Sequence, residues 1–388
     1  MGGRSDGASV PEAGDPAGPA PVRARAFEAL LGANLRASPE DFEVEERFGP
    51  DGRPTLDGRG EHLWLRVEKR LLNTDEVAAA LAAALGIGPR EVGHAGMKDR
   101  RAVTVQWFSA RVPRGSHAPV TGTLGEGRWR VLESALHGRK LRRGAHSGNR
   151  FRVVLRDVEA VPGHADRLEG ALAGRVAAVR GGGFPNRFGP QRFGRAGANV
   201  ARALALFGRA DRAGGRGRGR GRRGDPRRGL LLSAARSAIF NATLDERVRL
   251  GTWREPLDGE PLALAGSNAF FVPGEADEPK ALATRLASGD LSTSGPMHGA
   301  GEPPARGACA AFEAGLVAAD PTLRRLAAGL EAEGLEPARR ALVARAPDLE
   351  ARLEDGALTL AFTLPPGAYA TSLVEAFAEV RAVPHSGP

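Results

Sequence analysis

The stretch "GHAGMKDRRAVTVQWF", residues 93–108, holds the side chain in this chain best suited to chemistry. Its one carboxylate, Asp99, stands among Lys98, Arg100 and Arg101, and an apolar, β-branched run follows. In most sequences an acid ringed by bases is a surface ion pair worth under ~1 kcal/mol. The same grouping also suits a catalytic carboxylate held ionised where a polyanion docks. Spacing alone leaves both readings open, so the elements around Asp99 and the rest of the chain must decide.

Competing chemistry is thin. "GRGRRG" (219–224) has the letters of GxGxxG, yet no strand precedes it and it lies in an Arg/Gly run. "GRSDG" (3–7) has the letters of a nucleophile elbow, but in a Gly/Pro/Ala-rich start with almost no large apolar side chain. Cys309, in "GACAAFEAG", is the one thiol that could attack C6 of a pyrimidine, as methyl transfer to C5 requires. A lone cysteine in such a segment reads more simply as a small buried hydrophobe. Methyl transfer would also need a cofactor-binding glycine loop after a strand, which is missing. No HExxH, P-loop or CxxC occurs, so metal-dependent and nucleotide-triphosphate chemistry lose support.

Upstream of Asp99, "EHLWLRV" alternates with Leu63, Leu65 and Val67 on one face, the pattern of a half-buried strand. "NTDEVAAALAAALG" then offers Asn73 as a helix cap, Glu76 three residues on, and Gly86 to end the helix. "AVTVQWFSARV" reads as a second strand. Asp99 therefore lies in a loop of a strand, helix, loop, strand unit, where catalytic groups are commonly mounted. "GNRFRVVLR" is a further strand with Phe151, Val153 and Leu155 on one side, and a helix is expected over 165–180. Near the end, a strand at 358–364 leads through a tight loop to a helix with Ser372 and Glu375 as a capping box.

Between these ends, "RGGGFPNRFGPQRFGRAG" breaks the pattern and strongly helical stretches follow. The expectation is an α+β fold whose core is built from both ends of the chain, residues 25–183 and 311–388. An α/β segment, 184–310, is inserted into it. Residues 1–24 are expected to be disordered, as is an Arg/Gly-rich loop at 208–228.

The 388 residues carry a net charge of +9, with 55 basic and 46 acidic side chains, which suggests an anionic partner. Much of that excess sits in 208–228, a run resembling the disordered Arg/Gly segments that grip RNA. Residues 137–152, "HGRKLRRGAHSGNRFR", form a second basic block, and this one leads into a strand. One cysteine excludes an internal disulfide framework, and no run of eighteen apolar residues occurs. A cytoplasmic protein, with no membrane association, is expected.

The motif around Asp99 resembles the active-site motif of the TruD family of tRNA pseudouridine synthases, in which a GxKDxxAxTxQ core carries the catalytic aspartate. "PEDFEVEE" (39–46), "EHLWLRVEKRLLNT" (61–74), "KLRRGAHSGNRF" (140–151), "FPNRFGPQRFGRAGANV" (184–200), "LLSAARSAIFN" (231–241) and "LPPGAYATSLV" (364–374) resemble family blocks in the family's order. The resemblance implies a pseudouridine synthase core with a rearranged strand order, interrupted by a TRUD domain. It also implies conversion of uridine to pseudouridine, at position 13 of certain tRNAs in bacterial members, without metal or cofactor. Asp99 would act as nucleophile or base, and the two roles stay open.

On the same resemblance, Phe42, Phe151 and Tyr369 match aromatic positions around the flipped base. Asn149 matches the family's asparagine, and Lys98 the lysine beside the catalytic residue. Tyr369, the chain's only tyrosine, stands where the family has Phe. RNA contacts are expected from Arg100, Arg101, Arg139, Lys140, Arg142, Arg143, Arg187 and Arg192. A tRNA partner and a monomer are expected, since a base-flipping site on one chain calls for no second copy. The alternative is a non-catalytic RNA-binding protein on the same scaffold.

Overall fold

A computed structural model describes residues 24–112, 122–124, 127–212 and 225–381. The first half of the chain supplies strands β1 (Leu31–Leu35), β2 (Phe42–Arg47) and β3 (His62–Arg70), helix α1 (Thr74–Leu85), then β4 (Val92–His94), β5 (Val103–Arg111), β6 (Gly122–Leu124), β7 (Trp129–His137) and β8 (Gly148–Ala160). Helix α2 (Leu168–Gly182) and a short β9 (Phe184–Pro185) close this half. The middle holds α3 (Pro190–Phe193), α4 (Ala198–Arg212), α5 (Pro226–Arg249), β10 (Leu262–Leu264), β11 (Phe270–Phe271), α6 (Pro279–Ser288), β12 (Leu291–Ser292) and β13 (Ser294–Met297). Then come α7 (Gly307–Ala319), α8 (Pro321–Ala332), β14 (Ala338–Ala341), β15 (Val343–Ala344), β16 (Glu350–Glu354), β17 (Ala357–Leu364), α9 (Ala370–Val374) and β18 (Ala378–Arg381).

Strands from both ends of the chain share one 11-stranded mixed sheet, whose main path runs β16-β17-β8-β2-β5-β3-β7-β6. β1 joins β18 in parallel and β8 antiparallel, and β4 joins β5. The α+β core assembled from both termini is therefore as expected. Register aligns the side chains that matter. Lys69 pairs with Thr104, Thr104 with Val44, Val44 with Phe151 and Phe151 with Phe362. Residues facing one another across strands share a face, so these five lie on one side of the sheet.

Two apolar layers cover that side. Val77 and Leu81 of α1 pack on Leu63, Leu65 and Val67. Leu172 and Val179 of α2, with Phe184 and Leu373, pack on Val44, Phe151, Val153 and Phe362. The loop carrying Asp99 runs between β4 and β5.

Helix α1 forms as its letters predict: the Glu76 carboxylate accepts the Asn73 N–H, and Gly86 ends the helix at φ 65°. The helix expected at 165–180 begins at Leu168, after a single 3₁₀ turn at Ala165–Arg167. The expected Ser372/Glu375 capping box does not form. Ser372 lies inside α9, whose N-cap is Tyr369, and its hydroxyl donates to the Arg187 carbonyl at 3.2 Å instead.

Two boundaries also move. α8, beyond residue 310, packs its Leu323, Leu326 and Leu330 against Ala203 and Phe207 of α4 and Ala235 and Ile239 of α5. β14 pairs with β13. These contacts carry the middle unit past residue 310 to about residue 342, because the apolar faces of α4 and α5 need α8 to cover them. Of the 208–228 loop, residues up to Arg212 belong to α4 and those from Pro226 to α5. The expected disorder at 213–224 and at residues 1–23 lies outside the described residues.

Candidate active site

Asp99 is gripped from three directions. Arg36 Nη2 meets Oδ2 at 2.7 Å, Gln191 Nε2 donates to Oδ1 at 2.6 Å, and Lys69 Nζ donates to the backbone carbonyl at 2.9 Å. Arg36 comes from the turn after β1, Gln191 from α3 of the middle unit and Lys69 from the inner face of β3. The carboxylate thus sits where the two units meet. Its side chain keeps 24 % of its surface, enough to meet a substrate.

Most of the surrounding motif holds this loop rather than doing chemistry. Thr74 Oγ1, at the start of α1, accepts the Lys98 N–H at 3.0 Å and donates to Gln106 Oε1 at 3.0 Å. Gln106 Nε2 in turn donates to the Gly96 carbonyl at 3.3 Å. Ala102 is fully buried in the core.

The structure corrects Lys98. Its ammonium pairs with Glu46 Oε1 at 2.7 Å with only 5 % of its side chain exposed, while Glu46 Oε2 accepts the Trp107 N–H at 3.0 Å. A lysine spent on a buried carboxylate is not free for RNA. Burial and the Lys98 charge together push the His146 imidazole below its ordinary range, so it adds no second cation there. Lys98→Met strands the Glu46 charge and should cost about 3–5 kcal/mol of stability by denaturant titration. The salt dependence of RNA binding should not change. A reduced salt slope with unchanged stability would instead place Lys98 against the RNA.

The aromatic group also divides. Phe42 and Phe151 meet edge to face at 6.0 Å, and Phe151 stacks on Phe362 at 5.4 Å. Phe42 and Phe151 are 2 % and 8 % exposed, and the Arg36 guanidinium lies 4.0 Å over the Phe42 ring. They form a floor that fixes Arg36 rather than open stacking faces. Tyr369 is half-buried, edge-on to Phe188, and lies so close to Gly189 that a Cβ there would sit 2.8 Å from its Cδ1. It therefore flanks the α3 segment that bears Gln191.

Asn149 lies on β8, facing Glu46 and Leu364 in register, and its Oδ1 is buried without a partner. Arg36 Nε and Thr104 Oγ1 are likewise buried and unpaired. Unpaired buried polar atoms are rare, and several on one face mark a place where a ligand completes the bonding.

The expected RNA contacts separate by exposure. Arg100, Arg101, Arg139, Lys140, Arg142 and Arg143 are exposed, although Lys140 Nζ donates to the Arg90 carbonyl at 2.7 Å. Arg187 is a correction. It is buried, it donates to Asp245 Oδ1 at 2.6 Å, and its second nitrogen reaches the Ala24 carbonyl. Its place is inside the joint between the units. Arg192 is half-buried against Phe188.

Cys309 carries no chemistry. It is fully buried, and desolvation with the charges of Glu313 and Glu260 pushes its thiol up to about 12. Among the described residues no group of three His, Cys, Asp or Glu could hold a metal, and no helix is long and apolar enough to cross a membrane. A cavity of about 930 Å³ opens elsewhere, along 163–171 beside Leu353, and none of the site residues above lines it.

A family profile for tRNA pseudouridine synthase D (TruD) matches residues 28–204 and 225–377, spanning every group that grips Asp99. The chain belongs to the TruD family. It is 45 % identical over 351 residues to a tRNA pseudouridine synthase D from Xanthomonas axonopodis pv. citri, covering 89 % of this chain and 91 % of that one. A tRNA pseudouridine synthase D from Methylococcus capsulatus is 43 % identical over 353 residues, covering 91 % and 92 %. A solved TruD structure from Methanosarcina mazei shares the fold, with a TM-score of 0.63 at 20 % identity over 92 % of this chain and 95 % of that one.

The TruD match skips 205–224, so the Arg/Gly run is peculiar to this chain relative to the profile. Arg36, Lys69, Gln191 and Glu46 were not singled out from the sequence. Lys69 had a usable signal: the alternation that sends Leu63, Leu65 and Val67 inward sends Lys69 inward too. Arg36 had none, since it adopts φ 61°, a conformation a non-glycine residue takes only when its surroundings compel it.

Proposed function

We propose that this TruD chain acts on the uridine at position 13 of tRNA, in the cytoplasm, as a monomer without metal or cofactor, and that Asp99 is its catalytic group. The reading is carried by the placement of the Asp99 carboxylate between Arg36 of the core and Gln191 of the middle unit, on a sheet face with unpaired polar atoms. Isomerisation breaks the N1–C1′ bond, turns the uracil and joins C5 to C1′; the C5 proton is lost and N1 gains one. A carboxylate serves by covalent attack on the substrate or by removing the C2′ proton. Asn149 Oδ1, unpaired in the protein, suits the N3–H of uracil, and Tyr369 offers the ring for stacking, a gain of about 1–3 kcal/mol against the cost of flipping the base. A binding protein on the same scaffold would have no use for a carboxylate so held.

The test is unmodified tRNA incubated with the protein and a chelator, read by carbodiimide-dependent reverse-transcription stops. A single stop at position 13 is expected. Stops at another uridine would overturn the position, and their absence the activity.

A further inference from the structure

Two guanidinium groups converge on the ring of Phe188, and among the described residues no acid pairs with either. The guanidinium carbon of Arg340 lies 4.1 Å from the ring centroid and that of Arg192 5.2 Å. Every acceptor Arg340 meets is neutral: the Asn186 carbonyl at 3.2 Å, Asn186 Oδ1 at 2.7 Å and the Gly367 carbonyl at 3.0 Å. Arg192 donates to Ser233 Oγ at 2.7 Å, also neutral. The Nε–H of each is buried without a partner. The most deeply buried arginines elsewhere are matched with acids, Arg247 with Glu260 at 2.9 Å and Arg339 with Glu313 at 2.8 Å, whereas Arg236, like Arg340, donates only to neutral acceptors.

Burial, with the like charge of Arg192 adding to it, pushes Arg340 down to about 10 against an opposing pull from Tyr369. Two like charges held together at a cost imply an anion that offsets them. Their location says which. Arg192 follows Gln191, the residue bonded to Asp99, and Gly367 precedes Tyr369 by two positions. Any nucleotide that delivers its base to Asp99 brings a phosphate on either side.

We propose that Arg192 and Arg340 form a clamp for one RNA backbone phosphate adjoining the target uridine. This rests on the reading of the chain as a tRNA uridine isomerase. Planar guanidinium groups match phosphate oxygens in pairs, and seating on Phe188 fixes them beforehand, so little side-chain entropy is lost on binding. The clamp reads no base. It sets the register of the strand so that the uridine, and not its neighbour, reaches the carboxylate.

Because Arg340 also ties Asn186 to Gly367, the primary test alters the RNA and leaves the protein intact. Single neutral methylphosphonate linkages are placed at each position around the target uridine and binding to the wild-type chain is measured. One linkage adjoining the uridine should weaken binding about tenfold, the scale of one charge-assisted contact. Arg192→Gln should bind the unmodified RNA about tenfold more weakly, lower the slope of log affinity against log salt by about one, and pay a smaller penalty than the wild type for that linkage, the remainder being the Arg340 contact. If no adjoining linkage stands out, or if Arg192→Gln pays the wild-type penalty, the clamp is wrong. Isomerisation of unmodified tRNA by the wild-type chain is run alongside: its absence would sink the function, whereas isomerisation with no preferred linkage sinks only the clamp.

Discussion

Asp99→Asn should abolish isomerisation, lowering the single-turnover rate by at least about 10⁴-fold, the scale for removing a group that bonds to the reacting atoms. Binding of tRNA should stay within a few-fold of wild type. The substitution keeps the side chain's volume. An amide oxygen still accepts from Arg36, and the Gln191 amide can turn to present its oxygen to the new N–H. What is lost is the electron pair that attacks carbon or takes a proton. Activity within tenfold of wild type would show that another group does the chemistry. Loss of activity together with loss of RNA affinity would instead assign the residue to binding.

How much of this site could be read from the sequence depends on the range over which each interaction is specified. Periodicity and caps act within a few residues, so β3, α1 and β5 follow from their letters, and Asp99 falls in the loop they define. The cations beside Asp99 in sequence are misleading for the same reason. Lys98 is drawn away by Glu46, a residue 52 positions earlier whose inward direction is set by strand alternation and whose partner is set by sheet order. The real counter-ion, Arg36, is 63 positions from Asp99, and Gln191 is 92. Pairings at that distance are fixed only by the mixed sheet order and by the docking of the middle unit on the core. The boundary at 310 fails likewise, because the need of α4 and α5 for an apolar partner is visible locally but the identity of α8 as that partner is not.

Lys69 carries the second large effect. It is wholly buried, and its ammonium bridges the carbonyls of Leu72 at 2.8 Å and Asp99 at 2.9 Å, joining the turn before α1 to the loop that carries Asp99. Lys69→Met removes both bonds while keeping an unbranched chain of similar length. The loop then loses its tie beneath Asp99, and, with Asp99 in the proposed role, the single-turnover rate should fall about 10²-fold, the scale of a reacting group displaced by about an ångström. RNA affinity should be nearly unchanged, since Lys69 faces no solvent. Desolvation lowers the Lys69 ammonium from 10.5 to about 8, with Asp99 and Glu76 opposing and Lys98 adding to the drop. Between those two values the unfolded chain holds a proton that the folded chain has released. Stability of the wild type relative to Lys69→Met should therefore rise as pH climbs from about 8 towards 10.5, by at most about 1.4 kcal/mol per pH unit. Below pH 8 the difference should be flat, because both states are protonated. Denaturant titrations of the two proteins at pH 7 and pH 9.5 measure it. A relative stability that stays flat over this interval would mean that the lysine stays charged, held by the Asp99 carboxylate rather than by the two carbonyls.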